Sequence, residues 1–180
     1  EAGNEIRRIA NGLLAQNFPK GSNVALISKN CAHWVMADLA IMMAGHISVP
    51  MYATLTADSI RQILEHSESK LVIVGKLDDY KKQKPGIPSN VIRLGMSSYD
   101  NVEDNTWEQW IDKYDPIKEP HVWKGDELLT IMYTSGTTGN PKGVMHSSSA
   151  FDKTVTQGVK ELGIQMHPSL FSYLPMSHIA

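Results

Sequence analysis

The chain has 180 residues, 17 Lys+Arg against 19 Asp+Glu, and a formal net charge of -2. Hydrophobic residues make up 42% and charged residues 20%. That is ordinary for a folded globular chain, and it argues against disorder. The near-neutral charge and the lack of a basic run argue against a nucleic-acid-binding surface. A lone cysteine, Cys31, cannot close an internal disulfide.

The hydrophobic pattern alternates between helical and strand periods. Ile6, Ile9, Ala10, Leu13 and Leu14 fall at helical spacing, and Pro19-Lys20-Gly21 then makes a turn. Val24 to Ile27 reads as a short buried strand. His33 to Ala44 predicts an apolar helix interrupted by Asp38 and closed by Gly45. This stretch is too short for a membrane span. Ile47-Ser48-Val49 predicts a strand. Thr56 suits an N-cap, with Asp58 in the first turn and Ile60, Ile63 and Leu64 on one face. Leu71 to Val74 is a further strand.

Lys81 to Gly86 reads as a solvated surface segment, and Val91 to Leu94 as a strand. Trp107, Trp110 and Ile111 share one side of a short helix. Pro116 and Pro120 favour an extended connector. Leu128 to Tyr133 is a strand running into a polar loop, with Val144-Met145 as a second strand beyond it. Phe151, Val155, Val159 and Leu162 make a last helical stripe, and Leu170 to Leu174 a last strand. Such alternation implies an α/β fold: a mostly parallel sheet flanked by helices. Ligands in such folds sit at the carboxyl ends of strands, which directs attention to the loop after Tyr133.

That loop, Tyr133-Thr134-Ser135-Gly136-Thr137-Thr138-Gly139-Asn140-Pro141-Lys142-Gly143, holds three glycines, four Ser/Thr hydroxyls, one lysine and no acid. Glycines let backbone N–H groups approach an anion closely. The hydroxyls of Thr134, Ser135, Thr137 and Thr138 can donate to phosphate oxygens, and Lys142 supplies a point charge. The Walker pattern G-x-x-x-x-G-K-[ST] fails here, because Pro141 stands five residues after Gly136 and Gly143 follows Lys142. The expected element is therefore a strand–loop–strand hairpin.

Tyr133 to Gly143 resembles the phosphate-binding signature of the acyl-adenylate-forming superfamily. Two further stretches extend the resemblance toward long-chain fatty-acid–CoA ligases. One runs from Asn30-Cys31-Ala32-His33-Trp34 through Ala37-Asp38-Leu39-Ala40 to Ala44-Gly45-His46-Ile47-Ser48-Val49-Pro50-Met51-Tyr52. The other is Leu174-Pro175-Met176-Ser177-His178-Ile179. The resemblance implies ATP-dependent activation of a fatty acid to acyl-AMP, followed by transfer to coenzyme A. Thr134, Ser135, Gly136, Thr137, Thr138, Gly139 and Lys142 would grip the nucleotide phosphates. Thr134 would also be a magnesium ligand, Lys142 would neutralise phosphate charge, and His178 would sit near the carboxylate and the acyl pocket.

Both ends of the chain look cut. The resemblance makes residues 1–180 part of the large N-terminal (AMP-binding) domain of an acyl-CoA-synthetase-like fold. On the same resemblance, the rest of that domain and the C-terminal lid are expected to be absent. The segment alone is therefore expected to be inactive. Its expected partners are small molecules (fatty acid, ATP and CoA), with no nucleic acid. The expected location is the cytoplasm, with peripheral association at the inner membrane face as an extension of the resemblance. Oligomeric state and acyl chain length are not readable.

Two other readings stand beside this one: a noncatalytic nucleotide- or phosphate-binding module, and an adenylating enzyme for a different carboxylic acid. His146 is assigned no role. His33, His46, His66, His121 and His167 lack metal-ligand spacing. Cys31 reads as a packing residue, and Ser67-Glu68-Ser69-Lys70 as a helix-to-strand connection despite its S-x-x-K lettering.

Overall fold

The computed structural model describes residues 1–101, 103–134, 141–164 and 174–177. A seven-stranded sheet organises them. Helix α1 (Ala2–Leu14) leads to β1 (Asn23–Ile27), α2 (Ala32–Met43), β2 (Ile47–Met51), α3 (Ala57–His66) and β3 (Leu71–Val74). Short elements follow: α4 (Tyr80–Gln83), β4 (Ile92–Gly95), β5 (Asn105–Thr106) and α5 (Trp107–Lys113). The hairpin β6 (Leu128–Thr134) and β7 (Lys142–Ser147) then runs into α6 (Ser148–Glu161). The spatial order is β5-β4-β3-β1-β2-β6-β7. Every neighbouring pair is parallel except β6 and β7. The expected α/β class is thus the observed one.

Side chains on the central strands explain why both faces are covered. Along β1, Val24 and Leu26 enter a core with Ile9 and Leu13 of α1, Ala37 and Ile41 of α2, and Trp107 and Trp110 of α5. Ala25 and Ile27 enter the opposite core with Val49, Met51, Val72, and Ile60, Ile63 and Leu64 of α3. Period-two alternation sends successive residues to opposite faces, and both faces are apolar, as a buried parallel sheet requires.

Local signals set the helix ends. The Thr56 hydroxyl accepts a hydrogen bond from the Ser59 N–H at 3.3 Å, which makes it the expected N-cap of α3. At the end of α2, Gly45 takes φ +71°. Its N–H reaches the Met42 carbonyl while the His46 N–H reaches that of Ile41, closing the helix with paired bonds. A side chain at φ > 0 would be strained there. Thr106 and Gln109 form a reciprocal capping box at the start of α5.

Three regions differ from the sequence reading. Lys81 and Lys82 are exposed as expected, but Gln83 is buried and donates to the carbonyls of Ala53 and Leu55, both at 2.9 Å. The neighbouring Tyr80 hydroxyl donates to Glu103 at 2.6 Å, and Glu103 also pairs with Lys84 at 2.8 Å. These buried polar contacts, which composition does not reveal, fold the segment onto the body. The two-residue strand β5 is too short to give a periodic signal. Finally, α6 forms as expected but buries none of its residues. Residues 170–173 of the expected last strand lie outside the described residues, and Leu174 is in a bend.

Candidate functional site

The parallel strands β1, β2 and β6 all present their carboxyl ends at one edge of the sheet. The loop of interest springs from that edge. Its stem is the antiparallel pair β6–β7, in which Tyr133 faces Gly143 and Thr134 faces Lys142. Thr134 and Lys142, Cα partners at the end of the stem, are both exposed at the loop's mouth. Ser135, Gly136, Thr137, Thr138 and Gly139 lie outside the described residues, as does His178.

The stem itself is firmly held. Tyr133 is buried in the same core as Ile60 and Val49, and its hydroxyl lies 2.7 Å from Nδ1 of His66 at the end of α3. Burial pushes its phenol pKa up. A Cβ at position 143 would fall 2.8 Å from Cγ2 of Ile131 and 3.2 Å from the Tyr133 ring. A side chain at 143 would force Ile131 to shift and the Tyr133 ring to give by a few tenths of an ångström, so this close approach favours glycine. The partnership of Tyr133 with His66, 67 residues apart, has no signature in the sequence.

β2 and β6 are tied together deeper in the sheet. The Thr130 hydroxyl donates to the Ser48 carbonyl at 3.0 Å, and the Ser48 hydroxyl donates to Oδ1 of Asp38 at 2.5 Å. Burial raises the Asp38 carboxyl pKa from 3.8 to about 6, against the opposing pull of the Ser48 hydrogen bond.

A cavity of about 390 Å³ opens at the same edge, between Ser28–Asn30 after β1, Tyr52–Thr54 after β2, and Pro175 with Ser177. The turn from Leu174 to Ser177 therefore meets the early segment of the chain. Asn30 joins them directly, with its Nδ2 donating to the Leu174 carbonyl at 2.7 Å and its Oδ1 accepting from the Met176 N–H at 3.0 Å. Two of the sequence stretches singled out for their resemblance are thus brought into contact.

The remaining candidates have structural roles. Cys31 occupies the N-cap position of α2, half-buried against the core, with Sγ 3.6 Å from Oγ of Ser28. His33 has Nδ1 at 2.8 Å from the Tyr99 hydroxyl. Ser67 and Ser69 hydrogen-bond each other at 2.7 Å in the connection between α3 and β3. Met51 is packed in the core, whereas Tyr52 lines the cavity. Among the described residues no group of three or more His, Cys, Asp or Glu side chains could hold a metal ion. No helix among them is long and apolar enough to cross a membrane.

This geometry matches a known class of protein: an α/β domain with a Gly- and hydroxyl-rich loop on a hairpin stem at the carboxyl edge. The AMP-binding enzyme family matches residues 1–180. The chain belongs to the AMP-binding enzyme family.

Long chain acyl-CoA synthetase 5 of Arabidopsis thaliana is 29% identical over 97% of this chain and 29% of its own length. Fatty acyl-CoA synthetase A of Dictyostelium discoideum is 30% identical over 94% of this chain and 27% of its own. The chain thus spans less than a third of the length of these curated relatives. A crystal structure of a long-chain-fatty-acid–CoA ligase (FadD1) from Archaeoglobus fulgidus superposes with a TM-score of 0.84 at 22% identity, covering 99% of this chain and 35% of that one. At that identity the likeness establishes the fold. The N-terminal domain of FACL13 from Mycobacterium tuberculosis has a TM-score of 0.79 at 29% identity, covering 97% of this chain and 43% of that one.

Proposed function

We propose that this segment is the phosphate-gripping part of an AMP-forming acid–thiol ligase that activates a fatty acid. The observation that carries the proposal is the hairpin stem. It sets Thr134 opposite Lys142 at the two ends of the hydroxyl- and glycine-rich loop. The names of the curated relatives favour a long-chain acid.

A carboxylate is a poor electrophile. In the proposed reaction its oxygen attacks the α-phosphorus of ATP, and the bond to the bridging oxygen breaks. Pyrophosphate leaves, giving an acyl-AMP; the sulfur of coenzyme A then displaces AMP to give the thioester. The chain's own contribution is positioning and electrostatic stabilisation. Lys142 offsets charge on the departing pyrophosphate, and the loop hydroxyls and N–H groups hold its oxygens. The exposed Thr134 hydroxyl would be one ligand of a magnesium ion. That ion would add positive charge to the same site. His178 is proposed to lie beside the carboxylate.

ATP–pyrophosphate exchange tests the reading. The longer protein should exchange in the presence of long-chain fatty acids and far less with aryl or amino acids. Lys142→Ala should lower kcat/KM for ATP about thirtyfold, roughly 2 kcal/mol for one charge-assisted contact. Unchanged exchange in that variant would remove Lys142 from the site. The 180-residue chain alone should not make thioester from ATP, magnesium, fatty acid and CoA, and robust turnover would overturn that part.

A further inference from the structure

Asn30 lies three residues beyond β1 and 144 residues ahead of Leu174. One planar amide serves two backbone groups of the turn. It donates to the Leu174 carbonyl at 2.7 Å and accepts from the Met176 N–H at 3.0 Å. The partners fix its orientation, since a carbonyl can only accept and an N–H can only donate. Pro175 stands between the two bonded residues and has no N–H to compete. The amide thereby does what a neighbouring strand would do for an extended segment.

The residue type is demanding. Aspartate keeps the acceptor but has no donor for the Leu174 carbonyl, and alanine has neither. Beyond Asn30 the turn is anchored by side chains: Met176 packs against the core that contains Trp34 and Leu26, and Ser177 is buried. The same contacts form one wall of the cavity at the carboxyl edge, shared with Ser28 and Tyr52.

We propose that Asn30 is a positioning residue that docks the Leu174–Ser177 turn onto the carboxyl edge of β1. It thereby sets the shape of the cavity that the turn shares with Ser28 and Tyr52, on the acid side of the proposed site. The functional half rests on the adenylation reading; the docking half stands on the two hydrogen bonds alone. Asn30 acts through the turn rather than on the reacting atoms. Its loss should therefore be felt by the acid and not by the nucleotide.

Two experiments separate the halves. In the 180-residue chain, hydrogen–deuterium exchange at the Met176 amide should speed up about fivefold in Asn30→Ala, the loss of one neutral hydrogen bond. Amides of β1 and α2 should be unchanged. Asn30→Asp, which retains the acceptor, should leave Met176 better protected than alanine does. Equal exchange at Met176 in wild type and Asn30→Ala would overturn the docking. In the longer protein, Asn30→Ala should raise KM for the acid in ATP–pyrophosphate exchange about tenfold, the cost of two such bonds with some relaxation, with KM for ATP unmoved. A parallel rise in both constants, or in neither, would overturn the functional half. A wild-type longer protein with no acid-dependent exchange at all would defeat the adenylation reading, while Met176 exchange would still decide the clamp.

Discussion

Helices α1 and α6 look alike as sequences and end up in opposite environments. Both carry apolar residues at helical spacing: Ile6, Ile9, Ala10 and Leu13 in one, Phe151, Val155, Val159 and Leu162 in the other. In α1 that stripe is buried against α2, α5 and the sheet. In α6, Phe151, Val155, Val159 and the flanking Leu162 are all exposed, and the strand that feeds it exposes Val144 and Met145 as well. Periodicity therefore specifies a helix and its apolar face; whether the face is covered depends on which elements lie opposite. A helix packed on two neighbours derives most of its stability from burial, whereas an uncovered one depends on propensity and caps. The Ser147 side chain accepting from the Ala150 N–H is such a cap.

The largest test of this contrast is on the buried side. Leu13 has no solvent exposure. Leu13→Ala should destabilise the 180-residue chain by about 2–5 kcal/mol, the transfer loss plus the cavity left behind. Urea unfolding followed by tryptophan fluorescence measures it, since Trp107 and Trp110 share that core. A loss below about 1 kcal/mol would mean that the α1 interface is loose.

Helix α2 lies between the extremes and offers the next largest effect. It buries Trp34, Ala37 and Ile41 but exposes Val35 and Leu39, and Asp38 sits at the boundary. Burial lifts its carboxyl from 3.8 to about 6 in the folded chain. The folded state then holds the proton more tightly than the unfolded state, so Asp38's contribution to stability falls as pH rises from about 4 to about 6. Below that window both states are protonated and the penalty is absent. An asparagine side chain in its place would keep an oxygen for the Ser48 hydroxyl without carrying charge. Asp38→Asn should therefore be close to wild type in stability at about pH 4 and more stable at about pH 7.5. The gain at the higher pH is at most about 3 kcal/mol, at ~1.4 kcal/mol for each pH unit separating the two values. The residue's partial contact with solvent keeps the gain below that ceiling. A stability difference that does not change with pH would show that the carboxylate is well solvated.

What could be read from the sequence follows the same division. The central strands were legible because continuous apolar runs such as Leu71–Val74 have one common fate, burial on both faces. Thr56 and Gly45 were legible because helix ends carry their own local chemistry. The hairpin stem could be inferred because Pro141 and Gly143 excluded the Walker arrangement, and β6 and β7 bear this out. Gln83, Glu103, His66 and Asn30 were not legible. Each is a polar side chain whose importance comes from a partner far along the chain, and no periodicity encodes such a pairing. Asn30 stood within a segment noted for its resemblance, but its task became visible only once Leu174 and Met176 were beside it.

The smallest expected effect lies at the other end of the contrast. Val155→Ala removes two methyl groups from a side chain that is 48% exposed. Surface changes of this kind usually move stability by less than about 0.5 kcal/mol. Alanine also has the higher helix propensity, because valine's branched side chain loses rotamer freedom in a helix. The variant should thus be neutral or slightly more stable in urea unfolding of the 180-residue chain. A loss of about 2 kcal/mol, comparable to that for Leu13, could arise only if this face is covered in solution. The contrast between the two helices would then be one of partners not yet placed rather than of burial and exposure. Repeating the measurement at several protein concentrations would separate a second copy of the chain, whose effect grows with concentration, from a contact made within one molecule.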